Sequence, residues 1–268
     1  MQLFAKEKNK TIFVEDAIKH KDYQCLECLH PLRVRSGYFR QPHFYHVKKN
    51  SHCHQCSKSE VHLRIQLHLI SRLPKNEAQM EMPFPSILRI ADVAWTTQKI
   101  AFEIQCSPIS QQEPERRTLD YLSIGYKPVW VLHDRLFNKS VLTQQEIFLQ
   151  NHPHYFTNTE RLSPVSIYDQ FQIIHHNVRV HKGPKIPVHL HLAKTPSELS
   201  SFPLHLQKRN KNLFFKNDLI DQGLANPSLL DHWKEVELKC RMLSRKIPRR
   251  SVKRVYIYFM EKLCGKQS

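Results

Sequence analysis

From Lys99 to Gln105 the chain alternates between two kinds of position. Ile100, Phe102 and Ile104 are apolar, while Ala101, Glu103 and Gln105 fall between them. This period of two predicts a β-strand. The preceding run, Ile87 to Trp95, is apolar except for Arg89 and Asp92, and only Thr96, Thr97 and Gln98 separate the two runs. An antiparallel hairpin follows, with Asp92 near Glu103. Upstream, Leu63, Leu67 and Ile70 give an apolar stripe at helical spacing, predicting a helix from about Ser59 to Arg72, with Pro74 beyond its end. A further strand is expected over about 77–84. Downstream, "SQQEPERRTLDYLSIGY" reads as a helix closed by Gly125, and "KPVWVLHD" as a strand buried in a sheet. Residues 1–24 suggest short strands and turns. Residues 135–268 mix short apolar runs with stretches rich in His and Pro, such as "HHNVRVHKGPKIPVHLHL", and yield no single pattern.

Two carboxylates on a rigid hairpin repel each other unless a positive group lies between them. A divalent cation bound by oxygen ligands meets that need, which makes Asp92 and Glu103 candidate ligands for Mg²⁺ or Mn²⁺. The same residues also fit the solvated side of a half-buried sheet.

A second cluster lies nearer the N-terminus. Cys25-x2-Cys28 and Cys53-x2-Cys56, with 24 residues between the pairs, have the form of a closed, structural zinc site. His43 and His46, in "HFYH", share that spacing and are rival ligands; His52 and His54 add further nitrogen donors. Around the cluster lie Arg33, Arg35, Arg40, Lys48 and Lys49, a basic module with aromatic residues suited to a phosphate backbone.

Composition narrows the classes of function. The 41 Lys and Arg against 24 Asp and Glu give a formal charge of +17, which points to a polyanion, nucleic acid ahead of a membrane surface. Seven cysteines, an odd number with two C-x-x-C pairs, suit a reducing cytosol better than a disulfide framework. The N-terminus has no signal-peptide core, and no apolar run is long enough for a membrane span. No glycine-rich phosphate loop occurs, so ATP and dinucleotide chemistry are not expected. Residues 241–268 carry nine Lys or Arg against one Glu. With Tyr256 and Tyr258 nearby, Arg249, Arg250, Lys253 and Arg254 are candidate contacts to DNA.

The order helix, three strands, helix, strand over residues 59–134 resembles the core of PD-(D/E)xK nucleases. The motifs "HFYH", Ser59-x-x-His62, "IADV", "AFEIQCSPIS" and "ERRTLDYLSIGYKPVWVL" together resemble the CoiA family of bacterial competence proteins, over about residues 20–135. That resemblance implies a cytosolic protein of natural transformation, with a zinc-finger-like module at 1–58, a PD-(D/E)xK nuclease-like domain at 59–135 and a basic region of unassigned role at 136–268. The fold class expected is α/β (α+β). By the same resemblance Asp92 and Glu103 hold the catalytic metal, Gln105 stands where the motif lysine usually lies, and Arg117 and Tyr121 face the site or the DNA. Glu60 is a candidate third carboxylate and His62 a nearby donor. The expected activity is metal-dependent cleavage or processing of transforming DNA, in single-stranded or processed form, with recombination proteins as possible partners. The rival is a DNA-binding recombination accessory protein that keeps the nuclease fold without turnover.

Overall fold

The computed structural model describes residues 1–8, 10–38, 40–48, 50, 53, 55 and 58–244. Cys56, Lys49, His52, His54, Arg249, Arg250, Lys253 and Arg254 lie outside the described residues. The architecture is mixed α and β, as expected. The chain divides into two compact units, Met1–Pro108 with Thr159–Val165, and Ile109–Asn158 with Ser166–Ser268. Within the first unit, buried Lys58 is ion-paired to Glu81 and Asp92, which ties the N-terminal module to the carboxylate hairpin.

The first unit opens with a five-stranded antiparallel sheet in the order β2-β1-β3-β4-β5. Its strands are β1 (Phe4–Glu7), β2 (Lys10–Phe13), β3 (Tyr23–Gln24), β4 (Pro31–Gly37) and β5 (Arg40–His46). Leu3, Ala5, Tyr23, Leu32 and Phe44 form its buried side. Helix α1 (Glu60–Arg72) follows, capped by Ser59, whose hydroxyl accepts the His62 backbone N–H. It packs against an antiparallel meander of β6 (Ala78–Phe84), β7 (Arg89–Trp95) and β8 (Ile100–Gln105). The predicted stripe of Leu63, Leu67 and Ile70 is only partly the buried one. The buried positions are His62, Leu63, Ile65, Gln66 and Leu69, so two polar side chains one turn apart face the sheet.

In the second unit, α2 (Glu113–Ser123) ends at Gly125, whose φ of 76° is the left-handed value that glycine adopts without strain. The Tyr126 N–H reaches back to the Tyr121 carbonyl at 2.9 Å and the Gly125 N–H to that of Leu122 at 3.0 Å, closing the helix. Strand β9 (Lys127–His133) pairs in parallel with β10 (His154–Thr157), after α3 (Gln144–Leu149). Strands β11 (Ile167–His175) and β12 (Val178–Pro187) continue antiparallel. A two-stranded ribbon of β13 (His189–Lys194) and β14 (Phe214–Lys216) is interleaved with α4 (Leu204–Asn210). Helices α5 (Leu219–Ala225) and α6 (Pro227–Ser244) follow. Phe171, Phe202, Leu206, Phe214, Ile220 and Trp233 lie at the centre of one core cluster, and Trp130, Leu149, Phe156 and Tyr168 in another. No helix among the described residues is long and apolar enough to cross a membrane.

This unit also buries charge. Arg209 holds Asp169 through two hydrogen bonds, at 3.0 and 2.6 Å, and Arg179 holds Glu146 at 2.5 Å. Beside the first pair, His154 donates from Nδ1 to the His152 carbonyl at 3.0 Å. Burial, reinforced by the Arg209 guanidinium, pushes His154 down to about 3. A histidine kept neutral in the fold but free to protonate when unfolded costs stability as pH falls below its ordinary value of about 6.5. The expected loss between pH 6.5 and 5 is about 2 kcal/mol, at roughly 1.4 kcal/mol per pH unit. Asp218 works in the opposite sense. Burial and the charge of Asp169 raise it to about 6, so its contribution is lost as pH rises through 6 and offsets part of the histidine effect on acidification. Urea denaturation at pH 7 and pH 5 checks this. His154→Gln should lessen the acid sensitivity, and an unchanged difference between the two pH values would refute the assignment.

Candidate active site

Register places the acidic residues. The β7–β8 ladder pairs Val93 with Phe102, so one residue further on Asp92 falls opposite Glu103. The β6–β7 ladder pairs Met80 with Val93 and Met82 with Ala91, so Glu81 falls opposite Asp92. Residues opposite one another share a face, which puts three carboxylates in one row across three strands. All are buried, with exposures of 2, 4 and 1% for Glu81, Asp92 and Glu103, so the row is not the solvated side of the sheet. Glu81 was not singled out in the sequence. It adopts φ 47°, a left-handed value uncommon for a non-glycine residue and a mark of local strain.

Asp92 is held from three elements. Its Oδ1 accepts from Lys58 Nζ at 2.9 Å, from His62 Nε2 at 3.0 Å and from Gln66 Nε2 at 3.3 Å. Its Oδ2 accepts the Ile104 backbone N–H at 2.8 Å. Gln66 Nε2 also reaches the Asp92 carbonyl at 3.0 Å, and Lys58 reaches Glu81 at 3.1 Å. Burial alone would push the Asp92 carboxyl up, but His62, Lys58 and the Ile104 N–H hold it well below the usual carboxylate range. Burial would likewise lower Lys58, yet Glu81 and Asp92 hold it above its ordinary value.

The candidate residues divide accordingly. His62 joins Asp92 directly. Glu60 does not supply the third carboxylate of the row: its side chain pairs with Arg161 at 3.1 Å, and Glu81 takes the place expected of it. Gln105 is 8% exposed and donates to the Ser107 carbonyl at 2.5 Å and hydroxyl at 3.3 Å. In the second unit, Arg117 pairs with Glu113 one helical turn away. Tyr121, expected to face the site or the DNA, has 0% exposure, so a direct contact with DNA would require that unit to open. Lys58 and Gln66 were also missed in the sequence. The spacing of His62 and Gln66, four apart on a helix, is the signal that could have found the latter.

Two observations bear on whether a divalent ion fits. Glu81 Oε2 and Gln66 Oε1 are buried acceptors with no hydrogen-bond partner among the described residues. Left so, each carries a desolvation cost of about 1–3 kcal/mol that a cation or its water would relieve. The carboxylate oxygens of the row are hard donors of the kind that Mg²⁺ and Mn²⁺ prefer, with the nitrogens of Lys58, His62 and Gln66 beside Asp92. The residues present fit such an ion.

The cysteine cluster forms a separate centre. The ligand atoms of Cys25, Cys28, His46 and Cys53 all lie within 4.8 Å of one another. Cys25 Sγ is 3.7 Å from Cys53 Sγ, and Cys28 Sγ is 3.2 Å from His46 Nε2. Three sulfurs and one nitrogen are a zinc donor set. Among the described residues His46 is thus the fourth member of the cluster; Cys56, the fourth cysteine favoured from the sequence, lies outside them. His43 is absent from the cluster because β5 is extended: residues three apart on a strand face opposite sides. The Cys25 thiol is drawn down to about 5, chiefly by a hydrogen bond with Cys53, whose own thiol is pushed up. Gln2, 1% exposed, turns its amide toward Cys25 Sγ at 3.5 Å and His46 Nδ1 at 3.4 Å, leaving His46 Nε2 for the centre. On the hairpin beside it, Arg33 and Arg35 are exposed, the latter over the Tyr45 ring at 4.5 Å, and Tyr38 is 98% exposed.

A sequence model for a protein family described as "Competence protein CoiA, nuclease-like domain" matches residues 58–208, more than half of the chain. No curated protein matches the sequence, and no solved structure matches it.

Proposed function

The chain belongs to the family of the competence protein CoiA nuclease-like domain, and on that premise we propose that it is a metal-dependent deoxyribonuclease. It acts in the cytoplasm, on single-stranded or processed DNA taken up during natural transformation, where recombination proteins are its expected partners. The observation that carries this reading is the buried row of Glu81, Asp92 and Glu103. Asp92 and Glu103 would hold Mg²⁺ or Mn²⁺, which when bound lowers the pKa of its water and polarises a phosphoryl oxygen. Lys58, His62 and Gln66 fix the Asp92 carboxylate in one rotamer before any ligand arrives. Gln105 can orient a water through its amide, but being neutral it cannot remove a proton from it. Phosphate contacts fall to the exposed arginines of the β4–β5 hairpin, to Arg117 and to the tail residues Arg249, Arg250, Lys253 and Arg254, in keeping with the charge of +17. Zinc in the Cys25, Cys28, His46, Cys53 centre is structural.

A second reading, a DNA-binding accessory protein without turnover, is favoured by one observation. Asp92 Oδ1 already holds three protein donors. The experiment is incubation of purified protein with labelled single- and double-stranded DNA, with Mn²⁺ or a chelator, beside Glu103→Gln. The first reading expects Mn²⁺-dependent products that Glu103→Gln abolishes. Intact DNA in every lane, with binding unchanged, favours the second; products that persist in Glu103→Gln show that the site is misassigned.

A further inference from the structure

A row of three carboxylates has two intervals, and in principle each could hold a divalent ion. We propose that this row takes one ion only, at Asp92 and Glu103, and that Lys58 is built into the other interval as a permanent second cation. The proposal rests on the metal-dependent reading above and assigns its stoichiometry and a positioning residue.

The geometry is specific at the level of single oxygens. The Lys58 ammonium lies 3.1 Å from Glu81 and 2.9 Å from Asp92, so it occupies the place between them that a bridging ion would need. A carboxylate oxygen offers about two lone-pair directions. Asp92 Oδ1 spends both on Lys58 and His62, with Gln66 at a longer 3.3 Å, whereas Oδ2, which meets β8, takes the Ile104 N–H alone among the described residues. Oδ2, on the side of Glu103, is therefore the Asp92 oxygen that would be left to hold an ion.

Lys58 itself is 9% exposed and bonded on both sides, so it is not a solvated lysine that has strayed toward acid. Its role follows. At the position where the PD-(D/E)xK pattern usually places a lysine, this chain has Gln105, whose amide is turned to Ser107. Lys58 supplies the fixed positive charge of the site from the opposite side of Asp92.

The test counts ions and does not depend on turnover. Zinc-loaded protein is titrated with Mn²⁺ by calorimetry and by electron paramagnetic resonance, with Asp92→Asn as the blank. The wild type should take one Mn²⁺ that Asp92→Asn removes. Lys58→Gln opens the first interval and should take two, and its cleavage at low Mn²⁺ should fall by about tenfold or more and recover at high Mn²⁺. Glu81→Gln, which leaves Lys58 on Asp92, guards against a Lys58→Gln chain that fails to fold. It should keep its single Mn²⁺ with affinity within about threefold. Two ions in the wild type, one ion with unimpaired cleavage in Lys58→Gln, or loss of the ion in Glu81→Gln would each overturn the proposal. A wild type that binds one Mn²⁺ yet cleaves no DNA would instead refute the nuclease reading while leaving the ion count intact.

Discussion

Asp92→Asn should lower Mn²⁺-dependent cleavage by about a thousandfold or more, because it removes the ligand charge while keeping the shape of the side chain. The amide oxygen can still accept the Ile104 N–H, but the amide NH2 then faces the donors of Lys58, His62 and Gln66, so some stability is lost, less than in the alanine variant. Asp92→Ala should lose cleavage equally and more stability. It strips Lys58 and His62 of a shared buried partner, and breaking a buried pair from one side costs about 3–5 kcal/mol. The lower end is expected, since Lys58 retains Glu81 at 3.1 Å. Thermal denaturation separates the two variants and a cleavage assay equates them. An Asp92→Asn protein that is folded and still cleaves would show that Asp92 is a structural counter-ion for Lys58 and no ligand at all.

How far the sequence disclosed this site depended on whether each feature was local. The hairpin was legible because seven residues from Lys99 alternate with period two and only three separate them from the previous run. Its register gave the approach of Asp92 to Glu103. Glu81 was not legible. In "AQMEMPF" it occupies the polar half of an alternating strand, and only the β6–β7 register, with a left-handed residue in mid-strand, sets it beside Asp92. Lys58 was hidden for another reason: a single lysine ahead of a helix cap carries no pattern, and its burial follows from two acids found 23 and 34 residues later. Glu60 illustrates the converse error. It had the right type and neighbourhood, but the first helical turn points it to Arg161. The second unit read poorly because its core contains Arg179, Arg209, Asp169, Glu146 and His154, and buried polar pairs interrupt the apolar periods on which a reading depends. At the cysteine cluster, the spacing of the pairs pointed to a zinc donor set, while the place of His46 beside it depended on β4–β5 register. Leu32 pairs with His46, which brings that histidine to the strand end that follows the Cys25–Cys28 turn.

Removal of that metal should have the larger consequence for the fold. Purified protein is expected to contain about one tightly held Zn²⁺, and its extraction should unfold the N-terminal part of the first unit rather than merely reduce activity. Binding of structural zinc is worth about 10–16 kcal/mol near neutral pH, comparable with the whole stability of a domain. Little else there can replace it. Strand β3 has two residues, and β1 and β2 have four each. Cys25 and Cys53 are buried, so without an ion their sulfurs are left sharing protons in a dry site. Cys25→Ser should therefore behave like the metal-free protein. Gln2→Ala, which removes the amide that orients His46, should retain zinc with affinity weakened by about 10–100-fold. Metal analysis and circular dichroism on the wild type and both variants provide the measurement. A protein that contains no zinc and melts unchanged after Cys25→Ser would remove the metal from this centre. Because Lys58 joins the same unit to Glu81 and Asp92, loss of zinc should also weaken Mn²⁺ binding at a site that contains none of the zinc ligands. That coupling should be absent from Asp92→Asn, whose zinc content should remain at one per chain.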